Sequence, residues 1–128
     1  MTAQDRWIQF AKEDFILAKA AFEKEIFNQV CFHSQQAIEK SLKAFLSKNQ
    51  QIIPKTHSLC ELLTICKNLD SSFLELGDSC IKLDKYYIPT RYPDALPGTG
   101  PEGLPGKKDA EESISILESA FDWIHNKL

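Results

Sequence analysis

The sequence predicts an all-α protein, an up-and-down helical bundle of about five helices with a long Pro/Gly-rich loop before the last one. Three observations carry that prediction. Apolar residues recur at alternating spacings of three and four along most of the chain, the period of a helix with one buried face. Five of the six prolines and four of the five glycines fall between Pro89 and Gly106, which leaves the remainder almost free of helix breakers. No stretch alternates with the period of two that a half-buried strand requires.

The first helix carries Ile8, Ala11, Phe15, Ala18 and Phe22 on one seam, with Asp5 or Thr2 as its cap. The second runs from about Asn28 to Asn49, with Cys31, Ser34, Ile38, Leu42 and Phe45 on its seam and Val30, Ala37 and Ala44 beside it. Each is about 20 residues, or 30 Å, long, and the short link at Ile26 to Asn28 makes them an antiparallel hairpin. After Pro54, Ser58 with Glu61 reads as a capping box opening a third helix with Leu59, Leu62, Leu63, Cys66 and Leu69 inward. Ser72 with Glu75 repeats the device for a fourth, built on Phe73, Leu76, Cys80, Leu83 and Tyr87. The fifth starts near Asp109 and shows Ala110, Ile114, Leu117, Phe121, Ile124 and Leu128.

The 128 residues, 43% hydrophobic and 26% charged, fit one domain spanning 1–128, interrupted only by the loop at 88–108. A proline at every fourth position from Pro89 to Pro105 excludes helix there, and the glycines exclude a stiff polyproline rod. Its first half, rich in aromatic and hydrogen-bonding groups, is expected to order against the bundle; the second half, GTGPEGLPG, is a flexible spacer. No apolar run approaches a membrane span, and the N-terminal residues lack the apolar core of a signal peptide, so the expectation is a cytoplasmic protein with no membrane contact. The four cysteines form no CxxC pair and read as free, mostly buried thiols; no His or carboxylate spacing suggests a metal site.

A net charge of −3 argues against a protein that coats nucleic acid through bulk charge. Residues 27–57, with four basic groups and one acidic, are nonetheless locally positive. There Gln29, His33, Gln36, Lys40 and Lys43 lie along one strip of the second helix. Two amides, an imidazole and two ammonium groups form a donor-rich surface suited to phosphate; the plainer alternative is a boundary histidine among solvated lysines. A second constellation is Tyr86, Tyr87, Thr90, Arg91, Tyr92 and Asp94. Arg91, braced by Pro89 and Pro93, is a preorganised fork for phosphate between rings that offer stacking faces, or else a latch tying the loop to the bundle. His57, just before the third helix, is a lesser candidate, and His125 reads as a charge complementing the last helix dipole.

Three blocks, CFHSQQAIEKSLKAFL from Cys31 to Leu46, THSLCELL from Thr56 to Leu63 and YYIPTRYPDA from Tyr86 to Ala95, resemble the prokaryotic HEPN domain in the right order. The resemblance is to the branch whose late motif is YxPTRYPD. It implies a helical bundle related to the C-terminal domain of kanamycin nucleotidyltransferase, usually a homodimer, often encoded beside a minimal nucleotidyltransferase in toxin–antitoxin or stress and defence modules. It also implies nucleotide binding, for which His33, Gln36, Lys40, Lys43, Tyr86, Tyr87, Arg91, Tyr92 and Asp94 are the candidate residues, with no catalytic residue, metal or cofactor assigned. The Arg-x4–6-His motif of HEPN ribonucleases is missing: Leu96, Pro97 and Gly98 follow Arg91 at those positions, and Ala11, Lys12 and Glu13 follow Arg6. The expected role is therefore a nucleotide-binding accessory subunit. The alternatives are an RNA-cleaving toxin in which His33 or His57 reaches Arg91 through folding, and a ligand-free structural dimer.

Overall fold

The computed structural model describes residues 1–87, 98, 100 and 103–128. Among them are five α-helices, α1 (Ala3–Glu23), α2 (Phe27–Lys48), α3 (Leu59–Leu69), α4 (Gly77–Asp84) and α5 (Lys107–His125), with a 3₁₀ segment at Ser71–Leu76 and no strand. None of these helices is long and apolar enough to cross a membrane.

Local chemistry explains most boundaries. Thr2 and Asp5 act together at the start of α1: the Asp5 amide donates to Thr2 Oγ1 and the Thr2 amide donates to Asp5 Oδ2, each at 3.1 Å. Those hydrogen bonds hold the Asp5 carboxyl below its ordinary range. The α1–α2 turn occupies Lys24 to Ile26, slightly earlier than the spacing predicts, because Glu25 adopts a left-handed φ of 59° and reverses the chain there. Asp109 sits in the first turn of α5 and accepts from the Gly106 amide at 2.9 Å, so the helix begins two residues before the expected one.

The fourth element departs from the predicted cap. Asp70, not Ser72, supplies the oxygen, accepting from the Ser72 amide at 3.0 Å and the Ser72 hydroxyl at 2.6 Å. The chain then runs as 3₁₀ from Ser71 to Leu76 before α4 starts. Glu75 does not close a capping box; its carboxylate accepts from Trp123 Nε1 at 3.1 Å. An Asp two residues ahead offers a stronger acceptor than a serine hydroxyl, which settles the competition.

Helix α2 is the axis of the bundle, buried on most of its circumference between Val30 and Leu46. It packs against α1 along the hairpin and against α5 and α3 on its other sides. Ile38, Leu42, Leu46, Leu59, Leu62, Leu83, Leu117 and Ile124 are fully enclosed. Aromatic contacts reinforce this core: Phe45 on Phe73 and Phe73 on Trp123, with centroids 4.4 and 4.9 Å apart, and Phe15 on Phe121 at 4.7 Å. All four cysteines are free thiols, and burial pushes Cys31 up to about 11 and both Cys66 and Cys80 up to about 12.

His125 does not act as a dipole-complementing cation. Burial and the nearby Lys12 lower its pKa to about 4, so the ring is neutral at pH 7. Ser41 Oγ donates to the Ala37 carbonyl at 2.7 Å, which leaves its lone pair to accept His125 Nε2–H at 2.9 Å. Phe121 stacks on the same imidazole at 3.8 Å.

Candidate functional site

The strip of donors along α2 is not an open surface, because Asp14 of α1 packs onto it and Glu39 of α2 itself pairs with it. Asp14 lies on the buried side of α1 between Ala11 and Ala18. Its Oδ1 accepts from His33 Nδ1 at 2.8 Å and its Oδ2 accepts from Lys40 Nζ at 2.5 Å. Next to Lys40 on α2, Glu39 is only 2% exposed and accepts from Lys43 Nζ at 3.0 Å. Lys43 is itself buried and passes over the Trp7 ring at 5.4 Å. Lys40 and Lys43 are thus matched by Asp14 and Glu39, so the expected phosphate-binding stripe carries two ion pairs, one joining α1 to α2 and one within α2.

The second of these pairs organises His57. Gln36 Nε2 bridges Gln35 Oε1 at 2.8 Å and Glu39 Oε1 at 3.1 Å, while the fully buried Gln35 donates its own Nε2 to the His57 carbonyl at 2.8 Å. The His57 ring turns its Nδ1 to both Glu39 oxygens, at 3.2 and 3.3 Å. Its flat face stacks on Tyr87, with centroids 4.3 Å apart and planes 19° from parallel. Tyr87 in turn lies beside Phe32 at 6.2 Å. Backbone and edge of one imidazole are therefore fixed by α2 and its face by Tyr87, three residues past the end of α4, although half of its side-chain surface is exposed.

His57 opens onto a cleft of about 520 Å³ lined also by Ser58, Asp84, Lys85 and Tyr87. Asp84 is there for structural reasons. Its Oδ1 accepts from the Leu59 amide at 2.8 Å, and its Oδ2 accepts from the Ser58 hydroxyl at 3.2 Å and the Cys60 amide at 3.3 Å. With Ser58 Oγ accepting from the Glu61 amide, this satisfies the first turn of α3 from the end of α4. Lys85 lies over the Tyr86 ring at 5.1 Å and brings a cation to the same mouth.

The residues singled out in the sequence are thus divided. His33 and Lys40 meet on Asp14; Gln36 and Lys43 meet on Glu39. Tyr86 is a core residue, 1% exposed, and its hydroxyl donates to Asp109 Oδ1 at 3.4 Å. Burial lifts its pKa well above that of an ordinary tyrosine, and it has no free face for a base. Tyr87 borders the cleft. Thr90, Arg91, Tyr92 and Asp94 lie outside the described residues. Gln35, Glu39, Asp84 and Lys85, all in contact with His57 or its cleft, are not singled out by the sequence. The Gln36–Glu39 and Glu39–Lys43 spacings of three and four are visible there, but only the fold shows that they surround an imidazole 18 residues away.

Known proteins share this architecture over its whole length. The chain is 28% identical over 131 residues to a curated protein of Methanocaldococcus jannaschii named "Putative toxin MJ1304", covering 95% of this chain and 86% of that one. The crystal structure of TT1696 from Thermus thermophilus superposes with a TM-score of 0.83 at 30% identity, over 100% of both chains. ST0689, described as an archaeal HEPN homologue, superposes with a TM-score of 0.73 at 30% identity, over 99% of this chain and 98% of that one. The HEPN domain family model matches residues 4–127, which spans all five helices save the first residue of α1. On these grounds the chain belongs to the HEPN domain family.

Proposed function

We propose that this protein is the HEPN subunit of a toxin–antitoxin-type module, and that it binds a nucleotide in the His57 cleft. The observation that carries the reading is the cleft itself. It places an exposed imidazole, a phenol ring and the Lys85 ammonium at one mouth, immediately before the segment that contains Arg91. In the sequence Arg91 follows Tyr87 by four residues. In this reading Lys85 and Arg91 meet phosphate and the outer face of His57 meets a base. The Asp84 carboxylate opposes an anion, but the amides and hydroxyl it accepts from offset much of its charge. The toxin name of the M. jannaschii relative supports the module assignment.

The same reading has the chain acting as one domain in the cytoplasm, as a homodimer, together with a minimal nucleotidyltransferase. Calorimetry with ATP, GTP and their diphosphates is expected to show saturable binding that weakens with added salt, with Lys85→Ala and with Arg91→Ala. No heat up to millimolar nucleotide would refute the nucleotide site. Co-expression with a nucleotidyltransferase encoded beside it is expected to yield a stable complex, and light scattering a mass of two chains for the protein alone; independent elution or a monomer mass would refute those parts.

A further inference from the structure

On the far side of α2 from the His57 cleft lies a second, smaller concavity. Glu39 and Ser41 are two residues apart, a rotation of about 200°, so the contact from Glu39 to His57 and the contact from Ser41 to His125 leave the helix on opposite sides. Beside His125, between α1 and α5, Lys12, Phe15, Ile16 and Phe121 line a pocket of about 200 Å³. Its apolar wall is largely aromatic. Phe121 tilts against Phe15 with centroids 4.7 Å apart and stacks on the His125 ring at 3.8 Å, which fixes both phenyl rings from behind. Ile16, at 65% exposed, is left with no cover on its outer side.

The one charged side chain that lines the pocket among the described residues is Lys12. It is exposed and, among those residues, has no ion pair, whereas Lys19, two turns on, is taken by Glu118 at 3.1 Å. Burial and then the Lys12 charge hold the His125 imidazole neutral, with a pKa near 4, so the ammonium stands close to the aromatic cluster with no acid of the pocket to match it. Asp122 acts on the same imidazole from α5 but does not line the pocket.

We infer that this pocket binds a small aromatic carboxylate, with its ring against Phe15, Ile16 and Phe121 and its carboxylate on Lys12. Size sets the ring. An apolar cavity of about 150 Å³ is enough for benzene, so about 200 Å³ accommodates one ring with a short acidic arm. It falls below the roughly 300 Å³ at which sites for larger ligands begin, which leaves nucleotides to the His57 cleft. Charge sets the arm. An unmatched ammonium favours a carboxylate and disfavours an amine. Edge or offset contact with two phenyl rings favours an aromatic ring over an alkyl chain of equal volume.

The test titrates the full-length protein with phenylacetate and follows the ring signals of Phe15, Phe121 and His125 by NMR. Phenethylamine and phenethyl alcohol serve as probes of opposite and zero charge. Saturable shifts at these three rings are expected with phenylacetate, with the alcohol about fivefold weaker and the amine not saturating. Lys12→Gln should weaken phenylacetate about fivefold and leave the alcohol within twofold; Ile16→Ala should weaken both. Both side chains are exposed, so the variants should melt close to wild type. Equal affinity for the three probes, phenylacetate binding untouched by Lys12→Gln, or displacement of phenylacetate by ATP would overturn the proposal. So would the absence of a saturable shift up to roughly 10 mM phenylacetate, the weak limit for a ligand of this size.

Discussion

Lys43→Met tests whether the ion pair between Lys43 and Glu39 is structural. Methionine keeps the length and apolar stem of lysine and can still lie against Trp7, so the packing change is small. What it removes is the ammonium 3.0 Å from Glu39 Oε2, leaving a carboxylate at 2% exposure with, among the described residues, only Gln36 and the half-exposed His57 as partners. Breaking a buried pair from one side costs about 3 kcal/mol. For a chain of this size each kcal/mol moves the melting temperature by roughly 4 °C, so a fall of about 12 °C is expected in calorimetry. Adding Glu39→Gln removes the stranded charge while keeping an oxygen for Gln36 and His57. The double variant should therefore recover to within about 1 kcal/mol of wild type. A single variant that melts within about 3 °C of wild type, or a double variant no better than the single, would refute the argument that charge burial and not packing sets the cost.

Ser34 Oγ is fully buried without a hydrogen-bond partner among the described residues, so Ser34→Ala should stabilise the fold by about 1 kcal/mol in urea titration; a loss of stability would show that the hydroxyl is satisfied. Lowering pH from about 6.5 to 4 protonates His125 in the unfolded chain but not in the folded one, where its pKa is near 4. Stability present at neutral pH is thereby lost, by about 2 kcal/mol once solvent access is allowed for, and His125→Gln should flatten that part of the profile. Asp84→Ala removes the α3 cap and should cost about 1–2 kcal/mol, with a parallel loss of nucleotide affinity as Ser58 and His57 shift; wild-type melting would contradict it. With thiols raised to about 11 or 12, Cys31, Cys66 and Cys80 should stay unreactive toward a disulfide reagent until the protein is unfolded.

The helices are legible in the sequence because their signals are local. The seam from Ile8 to Phe22, the Thr2–Asp5 pair and the proline cluster each act within a few residues, and the first two produce the helix and the cap they predict. The Ser72–Glu75 spacing misleads because Asp70 competes for the same amide, and no pattern of spacing ranks one acceptor over another. The electrostatics of α2 are less legible still. Lys40 is charged and at helical spacing from Lys43, so it reads as part of a solvated or anion-binding face. It is committed to Asp14, 26 residues earlier, through a hairpin register that composition does not encode. An aspartate in place of an apolar residue between Ala11 and Phe15 is the available clue. His57 illustrates the converse: unremarkable in sequence, it gains its orientation from residues that the fold gathers around it, Gln35, Glu39 and Tyr87.

The long α1–α2 hairpin joins neighbouring segments of chain, whereas the His57 cleft joins the α2–α3 link to the end of α4. Short-range closure is fast and long-range closure slow, so the hairpin should assemble first and the cleft last. Transient opening in the native state should run in the reverse order. Amides of residues 55–58 and 84–87 are then the first to exchange with deuterium, while those in the middle of α2 hold out until the molecule unfolds. The cleft thus sits on the part of the molecule that can loosen without dissolving its frame.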